Sequence, residues 1–183
     1  MSDKRGRKIV VVAHCILNQN SRVQGLAKFP ATIKTVVKTL LEHEAGIIQM
    51  PCPELLYAGY KRWAQTKNQY DTPNYRKFCR EIAKQIANQL LEYTKNEVKV
   101  KAIIGIKGSP TCAITETTKG YAGGDPTKMK NQKKRKTKEK GILIEELQKI
   151  LEKTKIKTKM IEIDTEKLEK SIEEIQMALT SNK

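Results

Sequence analysis

Ile9 to Ala13 is an unbroken apolar run rich in valine, the pattern of a strand covered on both faces as parallel sheets require. It ends at His14-Cys15. From Pro30 onward, Ile33, Val36, Val37, Leu40 and Leu41 recur at helical spacing; Pro30 fits the first turn of the helix they predict, which should stop near Gly46. A second short run, Ile47 to Met50, is terminated by Pro51-Cys52-Pro53, because proline cannot donate to a strand ladder. The stretch from Leu55 to Thr72 is polar and aromatic and reads as a long loop. After Pro73, the residues Phe78, Ile82, Ile86, Leu90 and Leu91 trace one face of a helix ending around Thr94. Val98 to Ile106 reads as a third strand that breaks at Gly108-Ser109-Pro110, and Cys112 follows. Gly141 to Leu151 is amphipathic, Lys159 to Ile163 is strand-like, and Asp164 or Thr165 can cap a closing helix carrying Leu168, Ile172, Ile175 and Leu179.

This alternation predicts an α/β fold: an open parallel sheet of about four strands with helices on both faces, a three-layer Rossmann-like or flavodoxin-like arrangement in one domain over 1–183. Right-handed crossovers place every strand carboxyl end on one edge, and ligand crevices lie just beyond that edge. Cys15, Cys52 and Cys112 are distant in the chain, yet each falls just past a strand. They are expected to meet.

Composition narrows the setting. A chain of 183 residues with 38% hydrophobic content can bury one core, and no run of about eighteen apolar residues offers a membrane span. The opening MSDKRGRK leads into a strand rather than a signal peptide, so a soluble, cytoplasmic protein is expected. Four cysteines in such a chain point to metal binding or catalysis rather than disulfides. The net charge of +16 would attract phosphate-bearing partners, tRNA among them, although lysines spread over a solvated surface explain it equally well. From Lys119 to Lys140 the chain is rich in Gly and Lys, and its block KMKNQKKRKTKEK (Lys128 to Lys140) is too charged to fold by itself and reads as a mobile or RNA-ordered loop.

Three thiolates are one short of a closed zinc site or an electron-transfer cluster, and the missing ligand leaves a position open to substrate. Cys79 sits inside the Pro73 helix, where a free cysteine ordinarily behaves as a small hydrophobe. His14 could complete a Cys3His zinc site only if the chain turns between His14 and Cys15, because neighbouring strand residues point to opposite faces.

Around the three cysteines the chain resembles the 2-thiouracil desulfurase (TudS) family at three short motifs, in order, each after a predicted strand. Cys15-Ile16-Leu17 with Arg22 and Gly25 is similar to the family's Cys-Leu-Leu opening. Pro51-Cys52-Pro53-Glu54 is similar to its Cys-Pro-Glu, and Ser109-Pro110-Thr111-Cys112 to its Ser-Pro-Ser-Cys. The resemblance implies a 4Fe-4S cluster on Cys15, Cys52 and Cys112, whose fourth iron is free to take sulfur from a thiolated nucleobase or nucleoside without net redox chemistry. It further supports Glu54 as general acid/base and Ser109 as a hydrogen-bonding or proton-relaying hydroxyl; Arg22, which could clamp an anionic or carbonyl group, Asn18 and Thr111 are the candidate substrate contacts. Read without it, Glu54 is a loop carboxylate paired with a lysine, Ser109 a turn residue before proline, and Arg22 a solvated loop arginine. Asn18 stands where the family has Gly, Val23-Gln24 replaces Tyr-Asp, and Ala113 replaces Gly; these departures fall in loops near the expected pocket. The function expected is an iron–sulfur-dependent desulfidase acting on thiouracil or a thiouridine in tRNA. The alternative is a non-enzymatic RNA-binding or metal-binding module with a structural three-cysteine site, and a redox carrier ranks third for want of a fourth cysteine.

Overall fold

A computed structural model describes residues 3–125, 127–128 and 132–181. The elements in chain order are β1 (Lys8–Ala13), α1 (His14–Leu17), α2 (Lys34–Glu42), β2 (Gly46–Met50), α3 (Pro53–Ala58), α4 (Lys67–Tyr70), α5 (Pro73–Lys95), β3 (Lys99–Ile106), β4 (Thr117–Lys119), β5 (Arg135–Thr137), α6 (Ile142–Thr154), β6 (Lys159–Ile163) and α7 (Leu168–Thr180).

The main sheet is parallel throughout, in the order β2-β1-β3-β6. β1 is interior, with Val10 between Ile47 of β2 and Ala102 of β3, and Val10, Val11 and Val12 have no solvent exposure. That double burial is why the segment reads as one apolar run instead of alternating. Helices α2 and α7 pack together, and α5 packs along α6, giving the three-layer architecture expected. The chain leaves β1 toward β2 and returns to place β3 on the other flank of β1. The sheet order therefore reverses between β1 and β3, which opens a crevice at their carboxyl ends.

Several elements differ from expectation. Pro30 lies outside α2, which begins at Lys34 after the fully buried Ile33. The polar stretch after Leu55 contains two helices, α3 and α4, the second opened by a capping box between Thr66 and Gln69. Asp164 and Thr165 do not cap α7; Lys167 precedes it, and Asp164 instead accepts from the Glu166 amide at 3.0 Å and from Lys107 Nζ at 2.9 Å. His14 and Cys15 share a helical turn, so strand alternation does not separate them.

The lysine-rich segment has paired ends. β4 and β5 form an antiparallel ladder, Thr117 opposite Thr137 and Lys119 opposite Arg135, and residues 126 and 129–131 between them lie outside the described set. Charge obscured this pairing because the anchors are distant: Lys119 Nζ meets Glu139 at 2.6 Å, and the buried Lys67 Nζ meets Glu139 at 2.9 Å and Glu145 at 2.5 Å. Among the described residues no helix is long and apolar enough to cross a membrane.

Candidate active site

Each cysteine is delivered by the turn that ends a strand. Cys15 sits on α1 immediately after β1, and the buried Gln19 ties that turn down by donating to the Cys15 carbonyl at 2.5 Å while its own oxygen accepts from Lys28 N. Cys52 is the N-cap of α3, and the amides of Leu55 and Glu54 point toward its sulfur. Cys112 is reached by a tighter route. After β3 the chain doubles back, so that Ile106 N donates to Cys112 O at 3.1 Å. Only glycine permits this approach at 105, since a Cβ there would stand 2.2 Å from the Cys112 carbonyl oxygen. The same loop seats the start of α6: Ile142 N donates to Pro110 O at 3.1 Å and Leu143 N to Thr111 O at 3.0 Å, satisfying orphan amides of that helix. Beyond Cys112, Glu162 of β6 accepts from the amides of Ile114 at 2.7 Å and Thr115 at 2.9 Å.

Between the Cys52 and Cys112 loops lies a polar cluster. Glu54 Oε1 accepts from Thr111 Oγ1 at 2.7 Å and from Ser109 Oγ at 3.3 Å. Ser109 Oγ also accepts from the amides of Thr111 at 3.2 Å and Cys112 at 3.0 Å, so this hydroxyl organises the loop that carries the third cysteine. Glu54 Oε2 stands 3.9 Å from Nε of Arg62, whose side chain is 3% exposed and donates to Ser21 O at 2.6 Å and Gly59 O at 3.1 Å. Arg62 Nε and the hydroxyls of Tyr70 and Tyr75 are buried and meet no partner within hydrogen-bond geometry among the described residues. The two tyrosines stack at 4.7 Å, and burial, reinforced by the Glu54 charge, pushes both phenols up.

A cavity of about 210 Å³ opens over this cluster, lined among others by Cys15, Cys52, Glu54, Ser109 and Arg22. At roughly 30 Å³ per liquid water, that is about seven waters' worth, room for one six-membered ring. Cys112 is buried. Burial pushes the Cys15 thiol up to about 12 and the Cys52 thiol up to about 11, and raises Cys112 well above the ordinary range. Arg22 opposes the shift at Cys15, and the Leu55 amide opposes it at Cys52. Cys52 bears electrostatically on both Cys15 and Cys112, so the three sulfurs share one neighbourhood. Among the described residues no three His, Cys, Asp or Glu groups stand close enough to close on a single ion. Three cysteine thiols are the donor chemistry that iron–sulfur clusters take. His14 Nδ1 faces Gln49 Nε2 at 2.7 Å.

Of the residues singled out in the sequence, Cys15, Cys52, Cys112, Glu54, Ser109 and Arg22 come together here. Thr111 is fully buried and spends its hydroxyl on Glu54. Asn18 is exposed and caps the turn after α1, accepting from Asn20 N at 3.0 Å. Cys79 is buried in the core, its thiol pushed up to about 12 by burial. Arg62 and Glu162 went unforeseen: one arginine in a polar loop and one glutamate in an edge strand carry no local signal, and their partners lie 41 and 48 residues away.

The fold and the site define a three-layer parallel α/β domain whose strand-end cavity is lined by Cys15, Cys52 and the hydrogen-bonded carboxylate of Glu54, with Cys112 buried beside it. The chain belongs to the family described as "Putative 2-thiouracil desulfurase", whose model matches residues 7–181. It is 40% identical over 158 residues to "Uncharacterized protein MJ0003" of Methanocaldococcus jannaschii, covering 86% of each chain. No solved structure matches.

Proposed function

We propose that the protein is a 4Fe-4S-dependent desulfidase that hydrolyses the thiocarbonyl of a thiolated pyrimidine. The overall change is balanced without a redox partner: ring C=S and water give ring C=O and hydrogen sulfide. Cys15, Cys52 and Cys112 would hold the cluster, which supplies a thiophilic Lewis acid with one open corner. The observation that carries the reading is the meeting of three strand-end cysteine loops beside a carboxylate already bonded to Ser109 and Thr111.

Glu54 lines the cavity and is the proton carrier: it accepts a proton from the attacking water and delivers it to the departing sulfide. Thr111 holds Oε1, and Arg62 stands beside Oε2, so the carboxylate faces the cavity in one orientation. Ser109 keeps Thr111 and Cys112 in register through their amides and offers its hydroxyl to the ring. Arg22, with no ion-pair partner among the described residues, faces the cavity as a donor for the ring oxygen.

The test is anaerobic reconstitution followed by sulfide-release assays on 2-thiouracil and thiolated tRNA. Brown protein and release from at least one substrate are expected, with colour lost in Cys15→Ala, Cys52→Ala and Cys112→Ala but kept in Cys79→Ala. Full cluster occupancy with turnover of neither substrate would overturn it.

A further inference from the structure

Next to the cavity runs a second depression of about 530 Å³, lined by Trp63, Gln65, Tyr121, Gly123, Gly124 and Gln132. It shares Ala64 and Gln65 with the cavity wall, so the two are continuous. Its far wall is held in place. Asn68 accepts from Gly120 N at 3.1 Å and donates to Tyr121 O, while Gln132 donates to Gly123 O at 2.9 Å and accepts from Ala122 N at 2.7 Å. Trp63 stands in the lining of this groove with 78% of its surface exposed. It thereby offers the groove a flat aromatic face on which a planar ligand can stack.

The cations are arranged to match. The chain entering β5 runs from Gln132 in the groove to Lys134 at the cavity, and Lys133, Lys134 and Arg135 are exposed and make no ion pair among the described residues. This stretch is anchored to the active-site loop through its partner strand: Thr117 Oγ1 donates to Ser109 O at 2.9 Å and Thr118 Oγ1 to Gly108 O at 3.1 Å. A flat aromatic face plus a line of unpaired cations, on a chain of net charge +16, is the combination that binds single-stranded nucleic acid: bases stack without regard to sequence while phosphates meet the cations. A free base entering a one-ring cavity would use neither.

We propose that the thiolated pyrimidine reaches the cavity as one nucleotide of a single-stranded RNA segment, its neighbour stacked on Trp63 and its phosphates along Lys133, Lys134 and Arg135. The identity of the reacting base rests on the desulfidase reading; the groove itself does not.

Trp63 is the only tryptophan, so its fluorescence reports binding directly, with no cluster and no thiolated base. Titration with an oligouridylate of about eight nucleotides should quench it saturably, whereas uridine monophosphate should bind far more weakly. The logarithm of affinity should fall with that of salt by about 0.7 per phosphate neutralised, and Lys134→Ala and Arg135→Ala should each lower that slope by about one such step. By anisotropy of a labelled oligomer, Trp63→Ala should raise Kd about 5- to 150-fold, and Trp63→Phe should recover most of it. Equal affinity for monophosphate and oligomer, equal affinity for duplex, or an unchanged Kd in Trp63→Ala would overturn the proposal. Sulfide release from free thiouracil without oligomer binding would sink this inference and leave the desulfidase standing; oligomer binding without sulfide release from any substrate would do the reverse.

Discussion

Arg62→Met removes a charge and keeps most of the volume, which isolates what the guanidinium does. The bond to Ser21 O, at 2.6 Å in a buried setting, is charge-assisted and worth about 1.5–3 kcal/mol, with that carbonyl left unpaired once it is gone. Gly59 is exposed, so its carbonyl recovers water and its bond adds only about 0.5–1 kcal/mol. Glu54, 3.9 Å from Arg62 Nε and 13% exposed, loses its neighbouring cation. The sum is about 3–5 kcal/mol, the range for breaking one side of a buried ion pair. At about 2–4 °C per kcal/mol for a domain of this size, Tm should fall by roughly 6–20 °C. Circular dichroism at denaturing temperature and in urea measures it. Arg62→Lys, which keeps the charge but reaches one carbonyl instead of two, should recover about half the loss. Sulfide release should fall in Arg62→Met even below its new Tm, because Glu54 is no longer oriented. An Arg62→Met protein within about 1 kcal/mol of wild type would refute the claim that this side chain joins the Ser21, Gly59 and Glu54 segments.

Gly105→Ala should destabilise by about 1–3 kcal/mol in urea unfolding, because its Cβ would lie 2.2 Å from Cys112 O and force the loop off the sheet edge; a wild-type midpoint would sink this. Asp71 is held below its ordinary value of 3.8 by Arg76, and Glu139 below 4.5 by Lys119 and Lys67; burial pushes Glu146 up, but Lys149, Arg80 and Arg76 together leave it lowered. Folded values below unfolded ones mean stability present above about pH 4.5 and lost as pH falls through the folded values, so Tm should be level near neutrality and drop below about pH 4. A Tm at pH 3 equal to that at pH 6 would contradict the sign.

Periodicity along the chain was enough to reach the layered α/β architecture and the position of β1, β2, β3 and β6, since a strand buried on both faces must be apolar throughout and a helix on a sheet must be apolar along one stripe. The meeting of Cys15, Cys52 and Cys112 also followed from the chain alone, because parallel connection forces all strand carboxyl ends to one edge. What tertiary structure alone decided is how those residues are held. Arg62 reaches Ser21 across 41 positions, Glu162 grips the Cys112 loop across 48, and the lysine-rich segment closes its ends through Glu139 and Lys67. Local propensity favoured a loop at Leu55–Thr72, where the short helices α3 and α4 form instead, and gave no sign that the ends of the lysine-rich segment pair as β4 and β5. A polar side chain's role is set by the group it faces, and linear order places that group nowhere near.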